Sequence, residues 1–279
     1  MDSRSVGIVG VGLIGGSIAL AALRSGFRVC LYDRASREIL SDGRFRGACI
    51  ADHLGDIAAK SRIIILATPL SAIEGVLKNL TPLVRSDHVV SDVASVKGKV
   101  ASIIQEALGD TCDYVPVHPM AGSEKSGVVA ARPDLFVNAI TFLVSEFARD
   151  VAKLRLVADF WEELGAKVVA TTAAKHDEMV GAMSHLPHLI AALLVKYVAE
   201  NEPAALDLCG SGFRDLTRIA SGAPELWTEI LLSNPALANH LSRFGALIEE
   251  TLPLLLRNDG KNLQALLDAA KQNRDRLTR

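Results

Sequence analysis

The chain has 279 residues, 49% of them apolar and only 5% aromatic, with 30 basic against 32 acidic side chains and a formal net charge of −2. That balance argues against a nucleic-acid partner or an anionic membrane surface, and the apolar content favours parallel strands and packed helices over a β-sandwich. No signal peptide and no apolar run of bilayer length is evident, and the four scattered cysteines lack metal-ligand spacing, so a cytoplasmic protein with reduced thiols and no metal is expected.

Val6–Val9 reads as a strand, followed by Gly10-Val11-Gly12-Leu13-Ile14-Gly15-Gly16, a helix through Ser25, a stop at Gly26 and a second strand, Arg28–Tyr32, closed by Asp33. This is a G-x-G-x-x-G loop in the strand–loop–helix setting that it requires, with an acidic residue about twenty positions on. Gly10 permits the tight turn, Gly12 admits a pyrophosphate to the backbone, and Gly15 packs helix on strand. Leu13 and Ile14 open the helix whose N-terminus attracts the phosphates. Asp33 either accepts hydrogen bonds from an adenosine ribose, favouring NAD, or is a plain turn residue; Arg34 beside it keeps NADP open.

Arg62–Ala67 is a buried strand stopped by Thr68-Pro69, residues counted here with the nucleotide-binding set. Leu70–Leu80 is a helix and Asp87–Asp92 the next strand. Ser95 is read both as the N-cap of a helix running to about Leu108 and as a residue on the ligand-binding rim beyond the carboxyl ends of the strands. In Val115–Gly127, Pro119 holds His118 extended at a strand's end. There it is either a histidine capping a strand or a proton-transfer group beside a turning segment that carries Ser123, Glu124 and Lys125. Ala139–Val144, Val151–Leu164 and Lys167–Ala170 complete a doubly wound α/β domain over 1–171.

From about Thr172 the pattern is helical. His176–Glu200 carries an apolar face and a polar stripe of Asp177, Ser184 and His188 at i, i+7 and i+11, with Pro187 predicted to bend the helix. The stripe is either a pocket wall or an exposed surface; His185, off the stripe, is read as structural. Asp207–Gly212 is the expected loop. Arg214 and Arg218 form either a fork for a carboxylate or a surface salt bridge. A long amphipathic helix from Leu237, bent at Pro253, leaves apolar surface suited to exchange between two subunits, so 172–279 is expected to be a helical dimerisation domain.

With these motifs in hand, the chain resembles the prephenate/arogenate (cyclohexadienyl) dehydrogenases over essentially its whole length. The matching stretches are Gly10–Ser17, Asp92–Gly98, His118–Gly127, His176-Asp177, Ser184–His188 and Gly212–Arg218. The resemblance implies a homodimer that oxidatively decarboxylates prephenate, arogenate or both with NAD(P). It assigns His118 to the catalytic base on the ring hydroxyl and Ser95 to orienting that hydroxyl and the nicotinamide. Arg218 falls to the substrate carboxylate, and His188 to substrate binding, with a lean toward prephenate. Glu124 and Asp177 fall to the pocket entrance, with Ser123 and Ser184 beside them. A relative acting on 4-amino-4-deoxyprephenate, a β-hydroxyacid dehydrogenase or imine reductase, and a nicotinamide-sensing module are the rival readings. Neither a chorismate mutase segment nor a regulatory ACT domain is expected.

Overall fold

The computed structural model describes residues 2–34, 43–123, 125 and 127–277. Two compact units emerge, Met1–Pro235 and Ala236–Arg279.

The first unit holds a parallel sheet of β1 (Ser5–Val9), β2 (Arg28–Tyr32), β3 (Cys49–Ile50), β4 (Ile63–Leu66), β5 (Val89–Asp92) and β6 (Asp113–Tyr114), in the order β3-β2-β1-β4-β5-β6. Helices α1 (Leu13–Arg24), α2 (Leu54–Lys60), α3 (Leu70–Leu80) and α4 (Gly98–Leu108) connect the strands. Strand alternation explains why β4 is Ile-Ile-Ile-Leu. Ile63 and Ile65 enter one apolar cluster with Val6 and Ile8, while Ile64 and Leu66 enter the other with Val9 and Val90. Strand order reverses between β1 and β4, which opens a crevice at their carboxyl ends. The pair β3–α2 was missed in the sequence, because a two-residue strand leaves no periodicity to read.

His118 occupies a second sheet. Strand β7 (Val117–Pro119) runs antiparallel to β8 (Ile140–Val144), which is parallel to β9 (Lys167–Thr171), with α5 (Val151–Glu163) between the last two. The strand end that carries His118 therefore belongs to a different sheet from β5, the strand that leads to Ser95. The cause is Pro116. The amide of Val115 still donates to Val90 at 2.9 Å, but Pro116 has no N–H to continue that ladder, and its carbonyl instead accepts from Val144 at 2.9 Å.

The helices that follow are α6 (Ala173–Val180), α7 (Leu186–Asn201), α8 (Ala204–Leu208), α9 (Ser211–Thr217) and α10 (Pro224–Ser233). The bend predicted at Pro187 takes the form of a π turn over Gly181–His185, so the helical run stays continuous while the turn just before Pro187 widens to accommodate its ring and missing N–H. The expected loop at Asp207–Gly212 shrinks to Cys209 and Gly210, since Asp207 ends in α8 and Gly212 in α9. By length and composition the continuous helical run Ala173–Asn201 would suffice to cross a bilayer, contrary to the sequence reading, and little of its apolar window is buried.

The second unit is a pair of packed helices, α11 (Leu237–Leu256) and α12 (Gly260–Arg276), joined by a turn in which Asn258 takes a left-handed φ of 50°. Pro253 lies inside α11, as expected, and Ile248, Leu252 and Leu255 are exposed.

Candidate active site

Gly10 has φ +95°, and a Cβ there would lie 2.7 Å from the Ala67 carbonyl oxygen. A Cβ on Gly15 would fall 1.9 Å from the Gly10 carbonyl oxygen, so the first turn of α1 seats directly on the loop. Only glycine fits either place. Gly12 differs: its Cβ would meet nothing within 4 Å, and as N-cap of α1 it leaves the helix without a side-chain cap. Beside this open end the Thr68 hydroxyl is buried with no hydrogen-bond partner, just before Pro69, the N-cap of α3. Uncapped amides, an open backbone and an orphaned hydroxyl together fit the phosphates of a dinucleotide. Leu13 and Ile14 pack half-buried on the core, Asp33 accepts from the Val11 amide at 2.5 Å, and Arg34 is exposed.

Around His118 lies a chain of buried polar groups. Its Nδ1 is 2.8 Å from His176 Nε2, and His176 Nδ1 is 2.8 Å from Asp177 Oδ1. The backbone amides of Lys97 and Gly98 each donate to the Asp177 carboxylate at 2.8 Å. Asp177 thus caps α4 from across the fold. This explains why Ser95 is not the N-cap that the sequence suggested: α4 starts at Gly98, and Ser95 lies half-buried at a bend before it.

The hydrogen bonds fix the protons. Burial pushes the Asp177 carboxyl up, but the bonds from His176, Lys97 and Gly98 outweigh it and hold the group ionised, below the usual carboxylate range. A carboxylate only accepts, so His176 donates from Nδ1 and keeps a lone pair on Nε2. That lone pair accepts a hydrogen bond from the His118 Nδ1–H, which leaves the His118 Nε2 lone pair as a base. Burial, followed by the charges of His176, Lys97 and His185, holds His118 well below the ordinary histidine range, so its neutral form dominates near neutrality.

A buried ion pair supports this chain. Lys97, fully buried, donates from Nζ to Asp92 Oδ1 at 2.5 Å and to the carbonyl of Val117, the residue before His118, at 2.6 Å. The Tyr114 hydroxyl donates to the other Asp92 oxygen at 2.6 Å. Sequence reasoning missed His176, Lys97 and Asp92. The signals available were the adjacency of His176 to Asp177 and the Asp92 and Lys97 positions flanking Ser95.

The remaining predicted residues divide. His188 is buried, its Nδ1 has no partner, and its ring stacks on Trp227 at 3.4 Å with 14° between planes. Trp227 was missed; Gly222 makes room for it, since a Cβ there would lie 2.4 Å from the indole nitrogen. Ser184 sits half-buried in the π turn. Arg218 is exposed and begins a 3-10 turn, Arg218–Ser221, that packs on α7, the helix carrying His188. Ser123 is exposed in a local turn with Lys125, and Glu124 lies outside the described residues. Asp177 requires a correction. It was expected to meet substrate at the pocket entrance, but it is 3% exposed and both oxygens are engaged inside the protein. His185, read as structural, is buried, with Nδ1 2.9 Å from the Asn234 side chain. Among the described residues no cluster of His, Cys, Asp and Glu has metal-binding geometry.

Comparison with known proteins agrees with this arrangement. Residues 18–170 match the prephenate dehydrogenase nucleotide-binding domain and residues 172–269 the prephenate dehydrogenase dimerization domain. A cyclohexadienyl dehydrogenase of Zymomonas mobilis is 32% identical over 271 residues, covering 93% of this chain and 91% of that protein. A prephenate dehydrogenase of Bacillus subtilis is 32% identical over 97% of this chain and 75% of its own length. Among solved structures, prephenate dehydrogenase from Aquifex aeolicus in complex with hydroxyphenyl propionate and NAD+ superposes with a TM-score of 0.90 at 29% identity, covering 99% of each chain. With a dinucleotide-type turn, a buried histidine aligned by a carboxylate and both matched domains in sequence, the chain belongs to the prephenate dehydrogenase family.

Proposed function

We propose that this chain is an NAD-dependent dehydrogenase that oxidatively decarboxylates prephenate, accepting arogenate as a second substrate. The observation that carries the reading is the ordered chain Asp177–His176–His118, which leaves a neutral histidine with its Nε2 lone pair free to act. Bound NAD supplies a hydride acceptor. The residues of the chain do the rest. His118 takes the proton of the ring hydroxyl, and Ser95 orients that hydroxyl. As the carbonyl forms it draws electrons from the ring carboxylate, which leaves as CO2. Desolvation strengthens each of these contacts.

We assign the nucleotide-binding role to residues 1–171, with Asp33 on the ribose favouring NAD and Arg34 allowing NADP, and the substrate and dimerisation roles to 172–279. Ser123, Ser184 and Glu124 are assigned to the substrate pocket with His188 and Arg218. The unpartnered nitrogen of buried His188 suits a hydrogen bond to a carboxylate or keto group of the substrate side chain and favours prephenate. The exposed apolar side of α7, including Leu193 and Tyr197, supports burial against a second subunit rather than in a membrane, because the same helical run carries Asp177 and His176.

The test is a matrix of prephenate and arogenate against NAD and NADP, following nicotinamide reduction and CO2 release. Turnover is expected with prephenate and NAD; inactivity in all four combinations would refute the proposal. Arg218→Ala is expected to raise the KM for prephenate by ~10–100-fold, the size of a lost charge-assisted hydrogen bond of about 1.5–3 kcal/mol, with the KM for NAD unchanged. An unaltered prephenate KM would remove Arg218 from substrate binding.

A further inference from the structure

Two thiols face each other across the edge of the parallel sheet, away from the histidine chain. Cys30 in β2 and Cys49 in β3 are direct partners in parallel register, so both side chains project from the same face, and both pack against one apolar cluster. Neighbouring strands lie about 4.8 Å apart, inside the ~4.4–6.8 Å range of Cα separations that disulfides span. Lys60 donates from Nζ to Cys49 Sγ at 3.1 Å. Cys49 is partly exposed while Cys30 is buried.

The two sulfurs therefore have different chemistry. Burial, and then the neighbouring Cys49 side chain, pushes the Cys30 thiol up to about 12, so it stays protonated. Cys49 is the accessible sulfur, and the Lys60 ammonium against it favours negative charge developing there during attack. Strand β2 ends two residues after Cys30, at Tyr32, and the next residue, Asp33, holds the Val11 amide of the glycine turn with its carboxylate at 2.5 Å.

We propose that Cys30 and Cys49 are a modification site for hydroperoxides, closing to a reversible disulfide that loosens the nucleotide-binding turn. In the first step the Cys49 sulfur attacks the O–O bond of hydrogen peroxide. An S–O bond forms, the O–O bond breaks, sulfur gives two electrons to the peroxide, and the released hydroxide leaves as water with the thiol proton. In the second step the Cys30 sulfur attacks Cys49. The S–S bond forms, the S–O bond breaks, and the sulfenic oxygen leaves as water with the Cys30 proton. Two thiols and one peroxide give one disulfide and two waters. Closure sets the two Cβ atoms ~3.5–4.5 Å apart at this register, drawing β2 against β3, and a bond through the partly exposed Cys49 is one that thiols reduce readily.

The test treats the purified full-length protein with hydrogen peroxide and maps its peptides without reduction. The expected result is a Cys30–Cys49 cross-linked peptide, an intact mass lower by two hydrogens and reversal by dithiothreitol, with Cys112 and Cys209 still alkylatable after denaturation. Cys49→Ser abolishes the cross-link, and Lys60→Met slows its formation several-fold. Calorimetry with NAD alone is expected to show several-fold weaker binding to the oxidised protein. Cys30 left as a free thiol while Cys49 is driven to its sulfinic acid would overturn the proposal, and a cross-link with unchanged NAD affinity would overturn its link to Asp33. The NAD arm rests on the proposed function; the mass arm does not, so failure of one is told apart from failure of the other.

Discussion

His118→Asn is expected to lower turnover by ~10²–10⁴-fold, the usual contribution of a positioned general base, while leaving NAD binding nearly unchanged. Asparagine is the informative replacement because its amide still donates toward His176 Nε2, now 2.8 Å from His118 Nδ1, and so retains the buried chain. What it lacks is the basic lone pair. Steady-state kinetics with prephenate and NAD, with NAD affinity by calorimetry, separate the two effects. Near-normal turnover would remove His118 from the chemistry.

The same geometry sets the pH dependence. His118 is held well below the ordinary histidine value, first by burial and then by neighbouring positive charge, so it stays neutral as pH falls through the range where a free histidine protonates. Activity limited by this base is therefore lost only at still lower pH. The acid limb of kcat/KM for the wild-type enzyme is expected below about 6.5, the unperturbed histidine pKa. A limb at or above that value would mean that another group is being titrated.

Much of the nucleotide half was legible in the sequence, because its constraints are local. Gly10 and Gly15 are required by contacts within a few residues of the loop or with the adjoining strand end, and a run such as Ile63–Leu66 announces burial on both faces. The histidine chain was legible only in part. His118 stood out through Pro119, but its partner His176 lies 58 residues away, and Asp177 had no visible reason to meet the amides of Lys97 and Gly98, some 80 residues before it. A helix cap supplied from another segment leaves no trace at the helix it caps, which is why Ser95 looked like the cap. The π turn before Pro187 is a similar case. Proline predicts that the helix must yield, but whether it kinks or takes an extra residue per turn is decided by packing.

Lys97→Met is expected to destabilise the fold by about 3–5 kcal/mol, the usual effect of stripping one partner from a buried ion pair. Lys97 and Asp92 are both fully buried, so losing the ammonium leaves a carboxylate supported, among the described residues, by Tyr114 and the Ala94 amide, and strips the Val117 carbonyl of its donor. Chemical denaturation followed by far-UV circular dichroism measures the loss. By contrast Arg155→Ala, which breaks a pair with Asp159 whose side chains are 68% and 44% exposed, is expected to shift stability by less than about 1 kcal/mol. The decisive comparison is the double variant Lys97→Met with Asp92→Asn. If the penalty of Lys97→Met is mainly an uncompensated charge, neutralising Asp92 recovers much of it. Full recovery of stability with turnover still depressed would assign the pair to holding the strand beneath His118. No recovery would show that the lysine acts through its packing and its bond to Val117 instead. Natural sequences keep such a pair although apolar residues of equal volume often do as well for stability. Here the ammonium spans β5 and β7, strands of two different sheets, and ties the carbonyl just before His118 to the turn that carries Ser95.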